Sequence, residues 1–220
     1  MKEILIDVAL EGKRVALLEN GELTEIYIES PSTERLVGNI YKGKVSSVLP
    51  GMQAAFIDIG YEKNAFLYVD DAIADDDEEF SGMNKVSIDK LFKPGQEITV
   101  QVVKEPIETK GPRVTTQVTL PGRHLVLLPN ADYIGISRRI SSDKERARLR
   151  KIAEEVKPKG MGLIVRTASE NKTLDDFKSD VSFLLKQWKK LKKSEKAGRV
   201  PRCIHKDLSL VHKTVRDLFT

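Results

Sequence analysis

Phe56 and Phe66 are the residues whose placement points most directly to chemistry. Side chains alternate across a β-strand. In Ala54–Gly60 the positions Ala55, Ile57 and Ile59 form an apolar set, which puts Phe56 on the opposite face with Asp58. In the next strand-like segment Ala65, Leu67 and Val69 are the apolar set, and Phe66 shares the other face with Asn64, Tyr68 and Asp70. Aromatic rings on the wet face of a sheet suit a partner that stacks on them. A nucleic-acid base on such a ring contributes roughly 1–3 kcal/mol with little regard for its identity. Lys42, Lys44, Lys104, Lys110 and Arg113 fall in the same stretch and can neutralise phosphates. The competing reading packs both rings under a loop or another domain. Single-stranded nucleic acid is the stronger expectation.

Residues for bond-making chemistry are scarcer. Asp7 lies mid-strand in Ile4-Leu5-Ile6-Asp7-Val8-Ala9, where a carboxylate could serve as a metal ligand, but it needs partner carboxylates. Asp217 is the only acid near the end of the chain with a suitable helical placement. His124, His205 and His212 are too scattered for a nucleophilic constellation, and the single Cys203 supports neither an internal disulfide nor a thiolate zinc site. The run Asp70–Glu79 holds seven acids and no base, without the spacing or glycine of a calcium loop. It reads as a solvated loop. No catalytic residue and no metal ligand is assigned.

The elements that must position these residues can be read from pattern. The 220 residues carry 37 Lys+Arg against 33 Asp+Glu and are 40% hydrophobic, enough for one domain or two small ones and too apolar for wholesale disorder. No apolar run approaches the ~20 residues of a membrane span, and the first twenty residues are broken by charge. The expectation is a soluble cytoplasmic protein. Ile4–Ala9, Arg14–Glu19 and Leu23–Glu29 read as strands joined by tight turns at Gly12 and Asn20-Gly21. Asn39–Leu49, Ala54–Gly60, Ala65–Val69, Glu97–Val103 and Arg113–Leu120 read as the five strands of a small closed barrel of the oligonucleotide-binding (OB) type, with Ala72–Lys90 a long surface loop.

After Arg123 the period changes. Leu125–Leu128, Gly135–Ile140 and Gly162–Val165 are strand-like. Ser142-Asp143-Lys144-Glu145 reads as a capping box opening a helix to Val156, which Lys157-Pro158 stops. Thr173-Leu174-Asp175-Asp176 is a weaker start for a long helix whose apolar stripe, Leu174 to Leu191, includes Trp188 as a core residue. Lys186–Lys206 carries nine bases against Glu195 alone, which suits either a solvated face or phosphate attraction. Asp207–Phe219 reads as a further helix that ends without a cap, as though cut from a longer chain. The fold class is α+β.

Several segments, in order, resemble the ribonuclease E/G family: Asn39-Ile40-Tyr41-Lys42-Gly43-Lys44, Ala54–Gly60, Leu125-Val126-Leu127-Leu128-Pro129-Asn130, Gly135–Ile140 and Gly160-Met161-Gly162-Leu163-Ile164-Val165-Arg166-Thr167. The resemblance runs the length of the chain. It implies a ribonuclease-H-like part over 1–35, an S1-type RNA-binding barrel over 36–119, a 5′-sensor region over 120–204 and the start of a second ribonuclease-H-like part over 205–220. It further implies that Phe56 and Phe66 stack on RNA and that Lys110 contacts it. Gly122 and Val126 would frame the terminal nucleotide, with Arg166 and Thr167 holding a 5′-monophosphate. An arginine fork matches phosphate geometry, although an Arg-Thr pair after an apolar strand is weak evidence by itself.

The family's magnesium-binding catalytic subdomain and its Cys-Pro-x-Cys zinc linkage between protomers belong to sequence beyond these residues. Magnesium is therefore expected for the intact enzyme and no cofactor in this segment, with a homo-oligomer possible for the intact protein. The expectation is the RNA-gripping portion of a single-strand-specific endoribonuclease of RNA processing and decay, binding 5′-monophosphorylated RNA without itself cutting. Two alternatives are a free-standing RNA-binding or chaperone protein and a generic phosphate binder.

Overall fold

The structure, a computed structural model, describes residues 1–30, 35–73 and 86–218. Asp75–Glu79 of the acidic run and Phe219 lie outside them. The chain divides into two units, one of Met1–Arg35 with Asp207–Thr220, the other of Leu36–Lys206.

In the smaller unit, β1 (Lys2–Ala9), β2 (Gly12–Glu19) and β3 (Glu22–Glu29) form an antiparallel meander. The β2–β3 turn uses the left-handed backbone of Asn20 (φ 53°) and Gly21 (φ 83°), which an Asn-Gly pair tolerates. Helix α4 (Leu210–Leu218) is tied to the sheet where the Leu210 N–H donates to Glu29 at 2.9 Å. Val15 is fully buried, while Leu5 and Ile26 are 53% and 56% exposed. Asp7 stands opposite Arg14 on β2 and is exposed.

The larger unit begins with the barrel. Its strands are β4 (Ile40–Leu49), β5 (Ala54–Asp58), β6 (Ala65–Tyr68), β7 (Glu97–Lys104) and β8 (Arg113–Thr115). They run in the order β4-β5-β6-β8-β7, and β7 pairs back with β4 to close the ring, so an OB-like α+β fold is in place. The interior is filled from every strand by Val45, Ala55, Ile57, Ala65, Leu67, Val100, Val102 and Val114. The expected loop over 72–90 is not loop throughout. A helical turn, α1 (Ile88–Leu91), puts Ile88 fully into this core, held by its N–H donating to Gln53 at 3.1 Å. The fifth strand is also shorter than expected, because the chain turns at Thr116 and resumes as β9 (Leu120–Pro121) in a different sheet.

That second sheet has the order β11 (Ile134–Ile136), β12 (Gly162–Val165), β10 (Leu125–Leu128), β9. Strand β11 stops at Ile136, short of the expected Ile140, because the backbone turns and Ile140 N–H donates to Ser137 O. Leu120, Leu125, Leu127, Leu163 and Val165 pack with Leu149 of α2 (Asp143–Val156) and with Phe177, Val181 and Leu184 of α3 (Leu174–Glu195). Trp188 packs at the edge of this core.

The two helix starts reverse their expected strengths. Ser142 accepts from the Glu145 N–H, but Glu145 turns to Arg148 instead of reaching back. At Thr173 both halves of the box form with Asp176. Past α3, β13 (Arg202–His205), unforeseen because it is four residues with no alternation, pairs antiparallel with β4.

Gly43 of β4 shows how close the barrel packing is. A Cβ there would lie 2.7 Å from Asp58 O and 2.8 Å from Ile57 Cγ2. Gly43→Ala is expected to destabilise the barrel by about 1–3 kcal/mol through overpacking. A lower urea midpoint at unchanged slope would register this, and an unchanged midpoint would show that the strands part freely.

Candidate nucleic-acid interface

Phe56 and Phe66 are directly paired across β5 and β6. Their ring centroids lie 5.8 Å apart at 71°, the edge-to-face arrangement that the aromatic quadrupole favours. Both rings are half-buried and line a groove of about 650 Å³ whose rim includes Lys63, Lys104 and Lys110. Lys110 is brought there by a turn that passes directly against β6. The Phe66 N–H donates to Pro112 O at 2.8 Å, and a Cβ on Gly111 would fall 2.0 Å from Asn64 O. Only glycine fits at 111.

The charges around this groove are not equivalent. Arg113 donates to Asp71 at 2.7 Å, which raises its pKa and engages it internally, so it is less suited to phosphate than expected. The same contact takes Asp71 out of the solvated acidic run. Glu105 accepts from the N–H groups of Leu36 and Val37 at 3.0–3.1 Å. Lys104 and Lys110 are exposed, and among the described residues no carboxylate pairs with either ammonium. Lys42 and Lys44 do not line the groove. Lys42 sits beside Glu195 of α3, whose carboxylate is held below its usual range despite burial by Lys192, Thr99 and Lys42. Lys44 is exposed, between Asp58 on β5 and Glu97 on β7 in the ladder.

Gly122, Arg166 and Thr167 meet at one end of the second sheet. Leu125 and Ile136 both stand beside Val165 in the ladder, so the start of β10 and the ends of β11 and β12 converge there. The Gly122 N–H donates to Leu125 O at 2.7 Å, closing a tight turn. Arg166 Nη1 donates to Gly122 O at 2.5 Å and reaches Arg123 O at 3.3 Å. Thr167 Oγ1 lies 3.0 Å from Ser137 Oγ. Val126, half-buried, is one residue into β10 on the face away from the helical core, opposite Pro121 and Ile164.

Asp180 organises this turn, and nothing in the sequence singled it out from the polar residues of α3. It is only 9% exposed. Its carboxylate accepts from the N–H groups of Arg123 (3.2 Å), His124 (2.8 Å) and Leu125 (2.8 Å). A Cβ on Gly122 would lie 2.6 Å from both of its oxygens. Gly122 is therefore required by Asp180 whatever else it touches. Ser169 Oγ donates to His124 O at 2.6 Å, and His124 Nδ1 lies 3.1 Å from Ala168 O, so the turns at 122–125 and 166–169 are locked together.

From the other side, Glu145 accepts from Arg148 and from the Asn171 N–H, while Arg148 donates to Lys172 O at 2.9 Å. Hydrogen bonds from Arg148 and Asn171 lower the Glu145 pKa to about 2. Among the described residues no three His, Cys, Asp or Glu side chains are grouped to hold a metal ion. Nor, among these residues, is any helix long and apolar enough to cross a membrane.

Asp180→Ala leaves three N–H groups without their acceptor and is expected to destabilise the larger unit by about 2–4 kcal/mol. Gly122→Ala should destabilise strongly in the native background but much less beside Asp180→Ala, since the clashing oxygens are then gone; additive effects in the double-mutant cycle would contradict the packing described. Because its folded pKa is depressed, Glu145 adds stability above the ordinary glutamate pKa and loses it as pH falls through that range towards about 2. A side-chain carbon NMR titration should place its midpoint near 2, and an ordinary midpoint would mean that the fork to Arg148 does not persist in solution.

The profile of the Ribonuclease E/G family matches residues 119–220. The chain is 42% identical over 219 residues to ribonuclease G of Haemophilus influenzae, and equally so to that of Escherichia coli strain K12, covering 98% of this chain and 45% of each relative. It is 37% identical over 215 residues to ribonuclease E of Nostoc sp. PCC 7120, covering 94% of this chain and 31% of that protein. The chain thus spans less than half the length of these curated relatives. With similarity to ribonucleases of both kinds continuing across almost all of its residues, the chain belongs to the ribonuclease E/G family.

Proposed function

We propose that this chain is the RNA-holding portion of a single-strand-specific endoribonuclease, gripping unpaired bases on the barrel and reading a 5′-monophosphate at the Gly122–Arg166 turn. The observation that carries this reading is the Phe56–Phe66 pair, half-buried in a groove rimmed by Lys63, Lys104 and Lys110. An edge-to-face pair presents the face of one ring at right angles to the other. An unpaired base can stack on such a face while Lys104 and Lys110 meet its flanking phosphates. A base already stacked in a duplex has no free face to offer, so the groove selects single strands.

At the sheet end, Arg166 supplies a planar fork whose plane is fixed by the bond to Gly122 O, and Thr167 supplies a hydroxyl oriented by Ser137. A terminal phosphate monoester carries more charge than an internal diester and has an additional unesterified oxygen. Oriented charge-assisted donors favour it on both counts. The Gly122–Leu125 turn and Val126 would pack against the first nucleotide. The described residues supply recognition, and cleavage is assigned to the remainder of the family's length, with magnesium acting there.

The test is fluorescence anisotropy on unstructured oligonucleotides carrying a 5′-monophosphate or a 5′-hydroxyl. Phe56→Ala and Phe66→Ala should each weaken both ligands, by about 1–3 kcal/mol. Arg166→Ala should erase the preference between the two ends while retaining the groove's contribution. Equal affinity for the two ends in the unsubstituted chain would overturn 5′-end reading, and Phe variants without effect would overturn stacking. Magnesium-dependent scission by this chain would overturn the assignment of cleavage elsewhere.

A further inference from the structure

Helix α3 carries an outer face that neither the aromatic groove nor the Arg166 turn uses. Its buried side is Phe177, Val181, Leu184 and Leu191. At 3.6 residues per turn, Lys186, Lys189, Lys190 and Lys193 fall within an arc of about 100° centred opposite that side. All four are exposed, and among the described residues none has an acidic partner. Lys186 and Lys189 also rim a shallow groove of about 410 Å³ between α2 and α3.

Two ordinary explanations for such a stripe fit poorly. A helix favours cations at its C-terminal end, but that effect fades within the last turn, and Lys186 lies more than two turns before Glu195. A face kept merely soluble mixes signs, as α2 does with Asp143, Lys144, Lys151, Glu154 and Glu155, and as the first half of α3 does where Lys178 pairs with Glu155. The four lysines instead repel one another at i,i+3 and i,i+4 spacing. A polyanion lying along the helix relieves that repulsion.

We propose that this face is a second, sequence-independent contact for the RNA backbone, in which the four lysines track successive phosphates as the strand runs over α3. This rests on the RNA-binding reading given above. The contact is electrostatic in the main: four flexible ammonium groups with no fixed fork, beside the half-exposed ring of Phe183, add affinity and salt dependence without choosing bases or ends.

The experiment compares the full chain with the Lys186→Gln/Lys189→Gln/Lys190→Gln/Lys193→Gln variant. It measures the affinity for an unstructured RNA, long enough to leave the groove, across a series of KCl concentrations. Each phosphate neutralised on a single strand contributes about 0.7 to the slope of log K against log salt, so the slope should fall by about two to three. The corresponding quadruple Lys→Arg variant should restore it, since charge and not lysine itself is required. Thermal unfolding confirms that the exposed substitutions leave the fold intact. An unchanged slope in the Gln variant would overturn the second contact. If Phe56→Ala still weakened binding in that case, the groove reading would stand alone. If the Gln variant lowered the slope while the Phe variants were silent, the groove would fail and the helix face would remain. Loss of binding to phosphatidylserine vesicles with an unchanged RNA slope would mark the face as a membrane contact and overturn the proposal.

Discussion

Three backbone N–H groups at the start of β10 point into protein, not solvent, and a single carboxylate from α3 receives all of them. Burying an amide donor without a partner costs about 1–3 kcal/mol, so three together would make the 122–125 turn untenable. Asp180 solves this, and in doing so it fixes the path of the turn, excludes any side chain at 122 and aims the Gly122 carbonyl at Arg166. The second sheet, the long helix and the arginine fork depend on one another through this contact. Both oxygens of Asp180 are turned to the backbone and occupied there.

The barrel depends on a different constraint. Five strands close only because β4 is long and serves two neighbours, β7 along its first half and β5 along its second. Gly43 lies at the changeover, where the strand presses on the Asp58 backbone. Phe56 and Phe66 lie on the other faces of β5 and β6, where the filling of the ring does not require them, and both stay half-buried. Their exposure is a consequence of the ring being filled from the other side.

Much of this was legible in the residues. Alternation is a local property, so the core and wet faces of Ala54–Asp58 and Ala65–Tyr68 could be separated without coordinates, and the outlying rings identified. The helix of Asp143–Val156 was equally readable because a serine cap and a proline bracket it. What could not be read were choices made by distant partners. Glu145 had two competing uses, capping its own helix or holding Arg148 and Asn171, and only the tertiary arrangement decided between them. Arg113 looked available until Asp71 was seen beside it, and Asp180 was one acid among several on a polar helix. Strand β13 exists because β4 offers an open edge, which no property of Arg202–His205 announces.

That returning strand has a mechanical implication. The chain leaves the barrel after β8, builds the second sheet and its helices, then comes back to pair with the first three residues of β4, while Glu195 accepts from Thr99 on β7. An excursion anchored at both ends cannot swing as a flap on a single tether; it would have to break a ladder to do so. A strand seated at the groove and at the arginine turn would consequently meet a calliper with its jaws set, and the number of nucleotides between them would be decided by architecture and not by adjustment of the protein.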